Sequence, residues 1–416
     1  MNDPSDGAPG AEELIAGADL QAARQALEGV AVRTPTIGCA ELASAAGMEV
    51  ALKAECLQVT GSFKLRGALH KVGALGEQAR SGLVAASAGN HARAVAQAAL
   101  VRGLPCEIFM PRDASVSKVA AVERLHAHVR LEGSSVEEAL ELAREWSRET
   151  GAAFVHPFDD IDVIAGQGTL GMELLEEVPD IARVVVPVGG GGLASGLGVA
   201  FRRANAKVEL VGVQAGACAP YTQALGGLTS PGEVEAHVGA TIADGIAIRR
   251  PGSLTLPLLR ELLDGLHTVS EDEIAAAMVF LAESAKLVSE GAGAVAVAVL
   301  LSGRLNPLEG TTVAVVSGGN VDSGLLAGLL RRRETQEGRR VRIFTRVSDR
   351  PGGLAELLGL VAGARANVVS VEHVREAVPL RVSETGVELT LETRGPEHTT
   401  EVLRTLERMG YEVQTD

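Results

Sequence analysis

From Gly82 onward, short apolar and β-branched runs alternate with longer segments whose apolar residues recur at helical spacing. The runs predict strands at Leu83–Ser87, Glu107–Met110, Val129–Leu131, Phe154–His156, Arg183–Val188, Glu209–Val213 and Thr312–Val316. The longer segments predict helices that include His91–Val101, Val116–His126, Val136–Thr150 and Leu193–Asn205. Apolar strands alternating with helices indicate an α/β fold whose parallel sheets are covered on both faces. Ligands in such folds bind beyond the carboxyl ends of the strands.

The pattern changes near the C-terminus. Residues 328–340 are charged and have no continuing apolar period, so we predict a linker or a frayed helix end there. The elements predicted after it are strands at 341–347, 367–374, 387–393 and 411–414, with helices at 354–361 and 397–409. The order β-α-β-β-α-β is that of a split βαβ unit, so residues 341–416 are predicted to form a separate α+β domain.

The composition is that of a globular protein with more than one core. The chain has 416 residues, of which 46% are hydrophobic and 22% charged, so two or three domains are expected. Aromatic residues make up only 2%, which leaves Ala, Val, Leu and Ile to build the cores. The formal net charge of −15 argues against a nucleic-acid partner.

Other features favour the cytoplasm and no membrane partner. The four cysteines are widely spaced, which suits a reducing compartment and predicts neither a zinc site nor disulfides. Residues 1–13 are polar and acidic, unlike a signal peptide, and are expected to be a disordered tail. The apolar run Ala292–Leu301 is too short to span a bilayer.

A run of four glycines, Gly189–Gly192, joins the predicted strand Arg183–Val188 directly to the helix that begins near Leu193. Glycines allow a loop to curl so that several backbone N–H groups point at one anion beside the positive end of a helix. A flexible linker is the alternative. The run matches neither the dinucleotide nor the triphosphate glycine motif, so a single phosphate is the expected ligand.

Three further segments are ambiguous when each is considered alone. Ser87–His91 and Ser317–Asn320 follow predicted strands and could bind a ligand or simply cap a helix. Lys64 could be a surface residue, because a nucleophilic lysine needs burial or a charged neighbour to lower its pKa.

Taken together, in order and spacing, these motifs resemble the threonine/serine dehydratase family, which belongs to the fold-type II, tryptophan-synthase-β-like pyridoxal-phosphate enzymes. The resemblance extends from Leu20 to Leu326. The segments that carry it are Thr60–Ala68, Ser87–Ala92, Gly189–Gly192, Thr241–Ala247, Arg250–Gly252, Glu290–Ala294 and Ser317–Asn320. The C-terminal segment resembles an ACT domain, an amino-acid-binding module, as in the medium-length branch of the threonine ammonia-lyases.

The resemblance implies a fold and a domain plan. The fold would be a two-lobed parallel-sheet catalytic domain at 14–327, with a smaller lobe at about 50–158 inserted in the larger one. A linker at 328–340 and an α+β ACT regulatory domain at 341–416 would follow. The resemblance also implies a homodimer or homotetramer.

The resemblance further implies roles for individual residues. Lys64 would bind pyridoxal 5′-phosphate covalently and then accept the Cα proton of the substrate. The other cofactor-binding residues would be Phe63, Asn90, Gly189, Gly190, Gly191, Gly192, Leu193, Glu290, Ser317 and Gly318. The amino-acid substrate would contact Ser62, Ser87, Ala88, Gly89, Asn90, His91 and Gly245. An effector, isoleucine or valine, would bind the ACT domain at Pro351, Gly352, Gly353, Leu354 and Asn367.

Three positions depart from the family pattern. Ala88 replaces the serine that delivers a proton in the family's racemases, so racemisation by that route is not expected. Arg93 replaces the usual glutamine, either near the site or on the helix surface. Gln214 replaces the acidic residue through which some relatives bind a cation, so no metal site is expected.

The implied reaction is the elimination of water and ammonia from L-threonine to give 2-oxobutanoate, with L-serine giving pyruvate. The alternatives are a lyase or racemase for L-serine or 3-hydroxyaspartate, since one methyl group contributes only about 1–3 kcal/mol to selectivity. A non-catalytic amino-acid sensor is a further alternative, and it would show no visible absorption band from a bound cofactor. A nicotinamide dehydrogenase is disfavoured because its glycine motif is missing.

Overall fold

In the computed structural model, residues 10–226, 239–375 and 383–415 are described. The chain divides into two compact units, Met1–Asp322 and Ser323–Asp416. Residues 1–9 of the predicted disordered tail lie outside the described residues. No helix within the described ranges is long and apolar enough to cross a membrane.

The first unit contains thirteen α-helices and ten strands among its described residues. The helices are α1 (Ala11–Gly17), α2 (Leu20–Leu27), α3 (Ala40–Ala46), α4 (Lys64–Leu75), α5 (Asn90–Arg102), α6 (Val116–Glu123), α7 (Val136–Thr150), α8 (Ile161–Glu177), α9 (Gly192–Arg203), α10 (Pro220–Gly226), α11 (Thr255–Leu262), α12 (Glu271–Phe280) and α13 (Gly291–Leu301). The strands are β1 (Thr36–Gly38), β2 (Val50–Lys53), β3 (Leu83–Ala86), β4 (Cys106–Met110), β5 (His128–Leu131), β6 (Ala153–Phe154), β7 (Ile181–Pro187), β8 (Glu209–Ala215), β9 (Gly265–Val269) and β10 (Thr311–Val315).

These strands form two sheets. The larger has the order β1-β2-β10-β7-β8-β9, in which only the β1–β2 pair is antiparallel. The smaller has the order β5-β4-β3-β6 and is entirely parallel. Apolar side chains of α9 and the large-sheet strands share one core, and those of α5, β3 and β4 share another. The predicted α/β fold with parallel sheets is therefore confirmed.

Two predicted domain boundaries were wrong. Val50–Lys53, assigned to the start of the smaller lobe, is a fully buried strand of the larger sheet, paired in parallel with β10. Residues 11–13, assigned to the tail, begin helix α1, because Leu14 and Ile15 pack into a core with residues of α2 and α8. Local periodicity could not show either pairing, since both partners are distant in the chain.

Two predicted elements are shorter than expected. Strand β6 ends at Phe154, because the His156 ring accepts hydrogen bonds from the backbone N–H groups of Phe158 and Asp159 and turns the chain. Helix α6 ends at Glu123, and His126 adopts a left-handed conformation with φ of 59°. Strand β9 was not predicted.

The second unit has the predicted element order β-α-β-β-α-β after an additional helix. Its elements are α14 (Ser323–Gln336), β11 (Arg340–Ser348), α15 (Gly353–Gly363), β12 (Asn367–Val374), β13 (Glu384–Glu392), α16 (Pro396–Arg408) and β14 (Gln414–Thr415). The strand order is β12-β13-β11-β14 and every pair is antiparallel. Residues of α15 and α16 pack with the sheet in a single core.

Residues 328–340 were predicted to be a linker or a frayed helix end; most of them are helical, because α14 continues to Gln336 and ends inside this range. Leu325, Leu326, Leu329 and Leu330 repeat at helical spacing and are partly buried. Arg333 and Glu337 add an ion pair of 2.7 Å one turn apart.

Candidate active site

The predicted site residues come from loops at the carboxyl ends of strands in both sheets. Ser87–Asn90 follows β3, the glycine run follows β7, and Ser317–Asn320 follows β10. Lys64 is the first residue of α4. Parallel strands present their carboxyl ends at one edge of a sheet, which is why segments far apart in the chain meet here.

The amine of Lys64 is held inside this site. Its Nζ donates a hydrogen bond of 2.7 Å to the carbonyl oxygen of Pro157 and lies 5.2 Å from the centroid of the Phe63 ring. Burial lowers the pKa of Lys64 from 10.5 to about 8, although the carboxylate of Glu290 opposes that shift. A neutral amine, the form that attacks a carbonyl, is therefore accessible near neutral pH.

The helix that carries Lys64 is anchored by buried ion pairs. Arg66 donates to both oxygens of Glu55, at 2.8 and 2.9 Å, and to Glu173, which also pairs with Lys53 at 3.0 Å. Burial alone would raise the pKa of Glu55, but Arg66 more than offsets it and holds that pKa below its usual value. This network fixes the first turn of α4, and Lys64 with it.

The glycine run presents unpaired donors. The carbonyl oxygen of Gly190 accepts from Tyr221 Oη at 2.8 Å and from Thr255 Oγ1 at 2.9 Å, which orients the loop. Among the described residues, no protein acceptor faces the backbone N–H groups from Gly189 to Leu193. Several N–H groups at the start of α9 are therefore left without a protein partner in the described part of the chain, as is typical of a loop that binds a phosphate.

Side chains also pack closely against this loop. A Cβ atom at Gly190 would lie 2.2 Å from the Phe158 ring, and one at Gly189 would lie 2.9 Å from Ile246. Gly191 has φ of 88°, in the left-handed region that side chains disfavour. Phe158 follows Pro157, so the loop and the carbonyl that holds Lys64 are adjacent.

The loop after β10 meets the segment that precedes Lys64. Ser62 and Gly318 form an antiparallel bridge, and the Phe63 N–H donates to the Ser317 carbonyl oxygen at 3.1 Å. The hydroxyl of Ser62 is fully buried, and among the described residues it has no hydrogen-bond partner. An orphaned hydroxyl of this kind is costly unless a ligand satisfies it.

Glu290 links three of the predicted positions. Its Oε1 accepts from Asn90 Nδ2 at 2.6 Å, and its backbone N–H donates to the Gly318 carbonyl oxygen at 3.1 Å. A Cβ atom at Gly245 would lie 3.4 Å from the same Oε1. Burial and, to a smaller extent, the charge of Asp244 raise the pKa of Glu290 to about 7.

The segment after β3 supplies backbone donors rather than a charged histidine. Ser87 Oγ accepts from the Gly89 N–H at 3.0 Å, and Ala88 lies between them, partly exposed. His91 Nε2 lies 2.9 Å from the Val155 carbonyl oxygen, and burial lowers the pKa of His91 to about 3. The imidazole is therefore neutral, and the backbone N–H of His91, in the first turn of α5, has no intrahelical acceptor and can serve a ligand.

Two of the three positions that depart from the family pattern form side-chain hydrogen bonds in the structure. Arg93 lies at the site and donates to Asn320 Oδ1. Gln214 accepts from the Thr222 N–H at 2.9 Å and donates to the Val188 carbonyl oxygen at 3.2 Å, so its amide supports the backbone. In the described parts of the chain, no three acidic, histidine or cysteine side chains are placed to bind a metal.

Sequence reasoning missed several residues that shape the site. Pro157, Phe158, Tyr221 and Thr255 lie outside every motif and act through contacts with residues distant in the chain. Asn320 belongs to a recognised motif, but its role depends on side chains that only folding brings near it.

The geometry fits a phosphorylated cofactor that reacts with a lysine. A cradle of unpaired N–H groups, an orphaned buried hydroxyl and a lysine with a lowered pKa occur together. The chain belongs to the family of pyridoxal-phosphate dependent enzymes, whose sequence profile matches residues 27–318. Pyridoxal phosphate is therefore the cofactor of this chain.

The chain is similar in sequence or structure to an ammonia-lyase, a deaminase and a racemase. An L-threonine ammonia-lyase of Thermotoga maritima is 46% identical over 404 residues, which cover 96% of this chain and 99% of that protein. A solved structure of threonine deaminase isoform 2 from Solanum lycopersicum, in its processed form, is 32% identical with a TM-score of 0.68, and the match covers 77% of this chain and 92% of that one. A maize serine racemase is 34% identical with a TM-score of 0.70, covering 77% and 98%.

Proposed function

We propose that this chain deaminates L-threonine to 2-oxobutanoate and ammonia, with L-serine as a second substrate that yields pyruvate. The observation that carries the proposal is the buried Lys64 amine beside a phosphate cradle. The 46% identity to an L-threonine ammonia-lyase over nearly the whole chain supports this choice of substrate.

The cofactor would be held by groups from three loops. The N–H groups from Gly189 to Leu193 would bind the phosphate, Phe63 would pack against the ring, and Asn90 would donate to the ring hydroxyl oxygen. Ser317 would bond the ring nitrogen. A hydroxyl, unlike a carboxylate, need not keep that nitrogen protonated, so charge at Cα would be only weakly stabilised and rapid loss of the β-hydroxyl favoured.

The substrate would be held by the first turn of α5. The backbone N–H groups of Asn90 and His91 have no intrahelical acceptor and lie at the positive end of the helix, where a carboxylate is stabilised. The orphaned Ser62 hydroxyl would give that carboxylate a further donor. Bound pyridoxal phosphate supplies the electron sink that makes the Cα proton removable. Lys64 Nζ would accept that proton.

A substrate panel tests the proposal. Keto-acid release is measured with L-threonine, L-serine, D-serine and 3-hydroxyaspartate, and L-threonine is expected to give the largest kcat/KM. A larger value for L-serine or 3-hydroxyaspartate would instead favour a lyase for that amino acid. The lyase assignment would be refuted if enzyme that shows the absorption band of bound cofactor turned over none of these amino acids.

Racemisation is the second candidate activity, because the similar solved structures include a maize serine racemase. Ala88 has no hydroxyl with which to exchange a proton, so we expect chiral chromatography of the L-serine reaction to show no appreciable D-serine. The Ala88→Ser variant is expected to form D-serine slowly. Abundant D-serine from the parent enzyme would show that another residue supplies the second proton.

We also propose that the second unit is an ACT domain that binds a branched-chain amino acid, isoleucine before valine. The β-α-β-β-α-β order and the antiparallel sheet support this assignment. Gly352, with φ of 102°, caps α15, and a Cβ atom at Gly353 would lie 2.4 Å from the Ser348 carbonyl oxygen. The turn is thus restricted to small residues.

The strand register separates the two predicted parts of the effector pocket. Ser348, beside the turn, pairs with Glu384, whereas Asn367 pairs with Glu392 at the other end of β13. Eight residues of strand correspond to about 26 Å. A pocket that uses both Asn367 and the turn therefore requires two copies of the chain, which supports a homo-oligomer.

Replacing Asn367 with alanine is expected to remove the response of turnover to isoleucine and valine, with little change in effector-free activity. The reason is that an effector acts only through its difference in affinity between two states, a coupling of about 1–3 kcal/mol. Activity is measured during effector titration. Ser370→Ala, an exposed change on the same strand, is the control. An undiminished response after deletion of residues 341–416, with oligomeric mass checked, would place the regulatory site elsewhere.

A further inference from the structure

A chain of polar side chains runs beside Asn90, with Asn320 at its centre. Asn320 Nδ2 donates to the Thr60 carbonyl oxygen at 2.9 Å and to Asn90 Oδ1 at 2.6 Å. Asn320 Oδ1 accepts from the Arg93 guanidinium. Both ends of the Asn320 amide are therefore engaged within the protein.

These partners allow the Asn320 amide only one orientation. The Thr60 carbonyl can only accept a hydrogen bond, and the Arg93 guanidinium can only donate. Turning the amide by 180° would set its oxygen against the carbonyl and its NH₂ group against the guanidinium. The positions of oxygen and nitrogen follow from the chemistry of the partners, which is the firm basis for assigning an amide.

The backbone makes room for this arrangement at Gly61. This residue has φ of 78°, and a Cβ atom on it would lie 2.5 Å from Asn320 Oδ1. The Gly61 carbonyl oxygen also accepts from the Gly319 N–H at 2.9 Å, which fixes the loop that carries Asn320. The Asn320 side chain is thus held from two sides.

The orientation of Asn320 is passed to Asn90. Because Asn320 presents its NH₂ group, Asn90 must turn Oδ1 toward it, and Asn90 Nδ2 then faces Glu290 Oε1 at 2.6 Å. One N–H of Asn90 is used in this bond. For the other N–H, no acceptor occurs within the described residues. In the opposite orientation Asn90 would present an oxygen there, which would repel an acceptor atom of a ligand.

We infer that Asn320 is a positioning residue that locks the Asn90 amide so that a free N–H, rather than an oxygen, faces the hydroxyl oxygen of bound pyridoxal phosphate. The inference rests on the role of Asn90 in the proposed function. Arg93 can only donate a hydrogen bond and the Thr60 carbonyl can only accept one, so together they fix the orientation of the Asn320 amide. Asn320 in turn fixes the orientation of the Asn90 amide.

The Asn320→Asp variant tests the inference with little change in size. Aspartate keeps a partner for Arg93 but can donate neither to the Thr60 carbonyl nor to Asn90, so the Asn90 amide is expected to turn. We expect titration of the apoenzyme to show about tenfold weaker binding of pyridoxal phosphate, with a shifted absorption band for the bound cofactor. A purely structural role would lower the melting temperature and leave that band in place, and this result would overturn the inference.

A double-mutant cycle with Asn90→Ala shows whether Asn320 acts through Asn90. If it does, the Asn90→Ala/Asn320→Asp enzyme should match Asn90→Ala in both cofactor affinity and absorption. A double variant whose loss of affinity equals the product of the two single losses would mean that Asn320 acts independently, against the inference.

The matched control is Asn205→Asp, the same substitution at an exposed residue after α9, and it is expected to bind the cofactor as the parent does. These titrations contain no amino-acid substrate. Failure to deaminate L-threonine would therefore refute the proposed function without affecting this result, and an unaltered Asn320→Asp titration would refute the inference alone.

Discussion

Replacing Lys64 with alanine is expected to abolish the absorption band that depends on the covalent bond between this lysine and the cofactor, and to reduce kcat by at least about 1,000-fold. The amine is buried, its pKa is lowered to about 8, and its Nζ bonds the Pro157 carbonyl oxygen at 2.7 Å. No other lysine occurs among the predicted site residues. Spectra and single-turnover rates with L-threonine would measure both effects.

Two further variants separate chemistry from charge. Lys64→Arg keeps the positive charge but cannot bond the cofactor covalently, so it should be as inactive as the alanine variant. Lys207→Ala removes an exposed lysine and should behave as the parent does. Normal turnover by Lys64→Ala would contradict the assignment of this residue as nucleophile and base.

Adding one methyl group in the glycine loop, with Gly190→Ala, is expected to nearly eliminate cofactor binding. The new Cβ would lie 2.2 Å from the Phe158 ring, so the ring or the loop must move, and overpacking of this kind costs about 1–3 kcal/mol of stability. Movement of the loop would also misalign the N–H groups that are proposed to bind phosphate. Titration of the apoenzyme with pyridoxal phosphate, together with thermal unfolding, would measure both effects.

The control for this change is Gly17→Ala, because a Cβ atom at that exposed helix end meets nothing within 4 Å. A Gly190→Ala/Phe158→Leu enzyme should recover part of the affinity, since a flexible side chain can yield where the ring cannot. Parental affinity in Gly190→Ala alone would show that the phosphate binds elsewhere.

The sequence carried most of the information about individual strands and helices. Seven of the ten strands of the two sheets, helix α7 and the element order after residue 340 follow from periodicity, because a residue's exposure repeats with the geometry of its own element. Glycines at the end of a strand likewise identified the loop after β7. These signals are local, because they depend only on residues that are near one another in the sequence.

Assignments that depend on distant partners were less successful. Val50–Lys53 begins with three apolar residues, but only pairing with β10 places it in the larger sheet. Arg66 and Glu55 are charged residues that the sequence would place at the surface, yet both are fully buried because each neutralises the other. Composition cannot reveal such pairs, since neither member is buried without its partner.

The same distinction applies to the site. The sequence by itself determined which residues could take part, because a lysine, a glycine run and strand-end motifs each have a limited chemical use. The tertiary structure decided how they act: it buried the Lys64 amine, turned the His91 ring to the Val155 carbonyl oxygen, and brought Arg93 and Asn320 to Asn90. Burial, hydrogen-bond polarity and pKa depend on neighbours that are 64 to 230 residues apart in the chain, and only the folded chain brings them into contact.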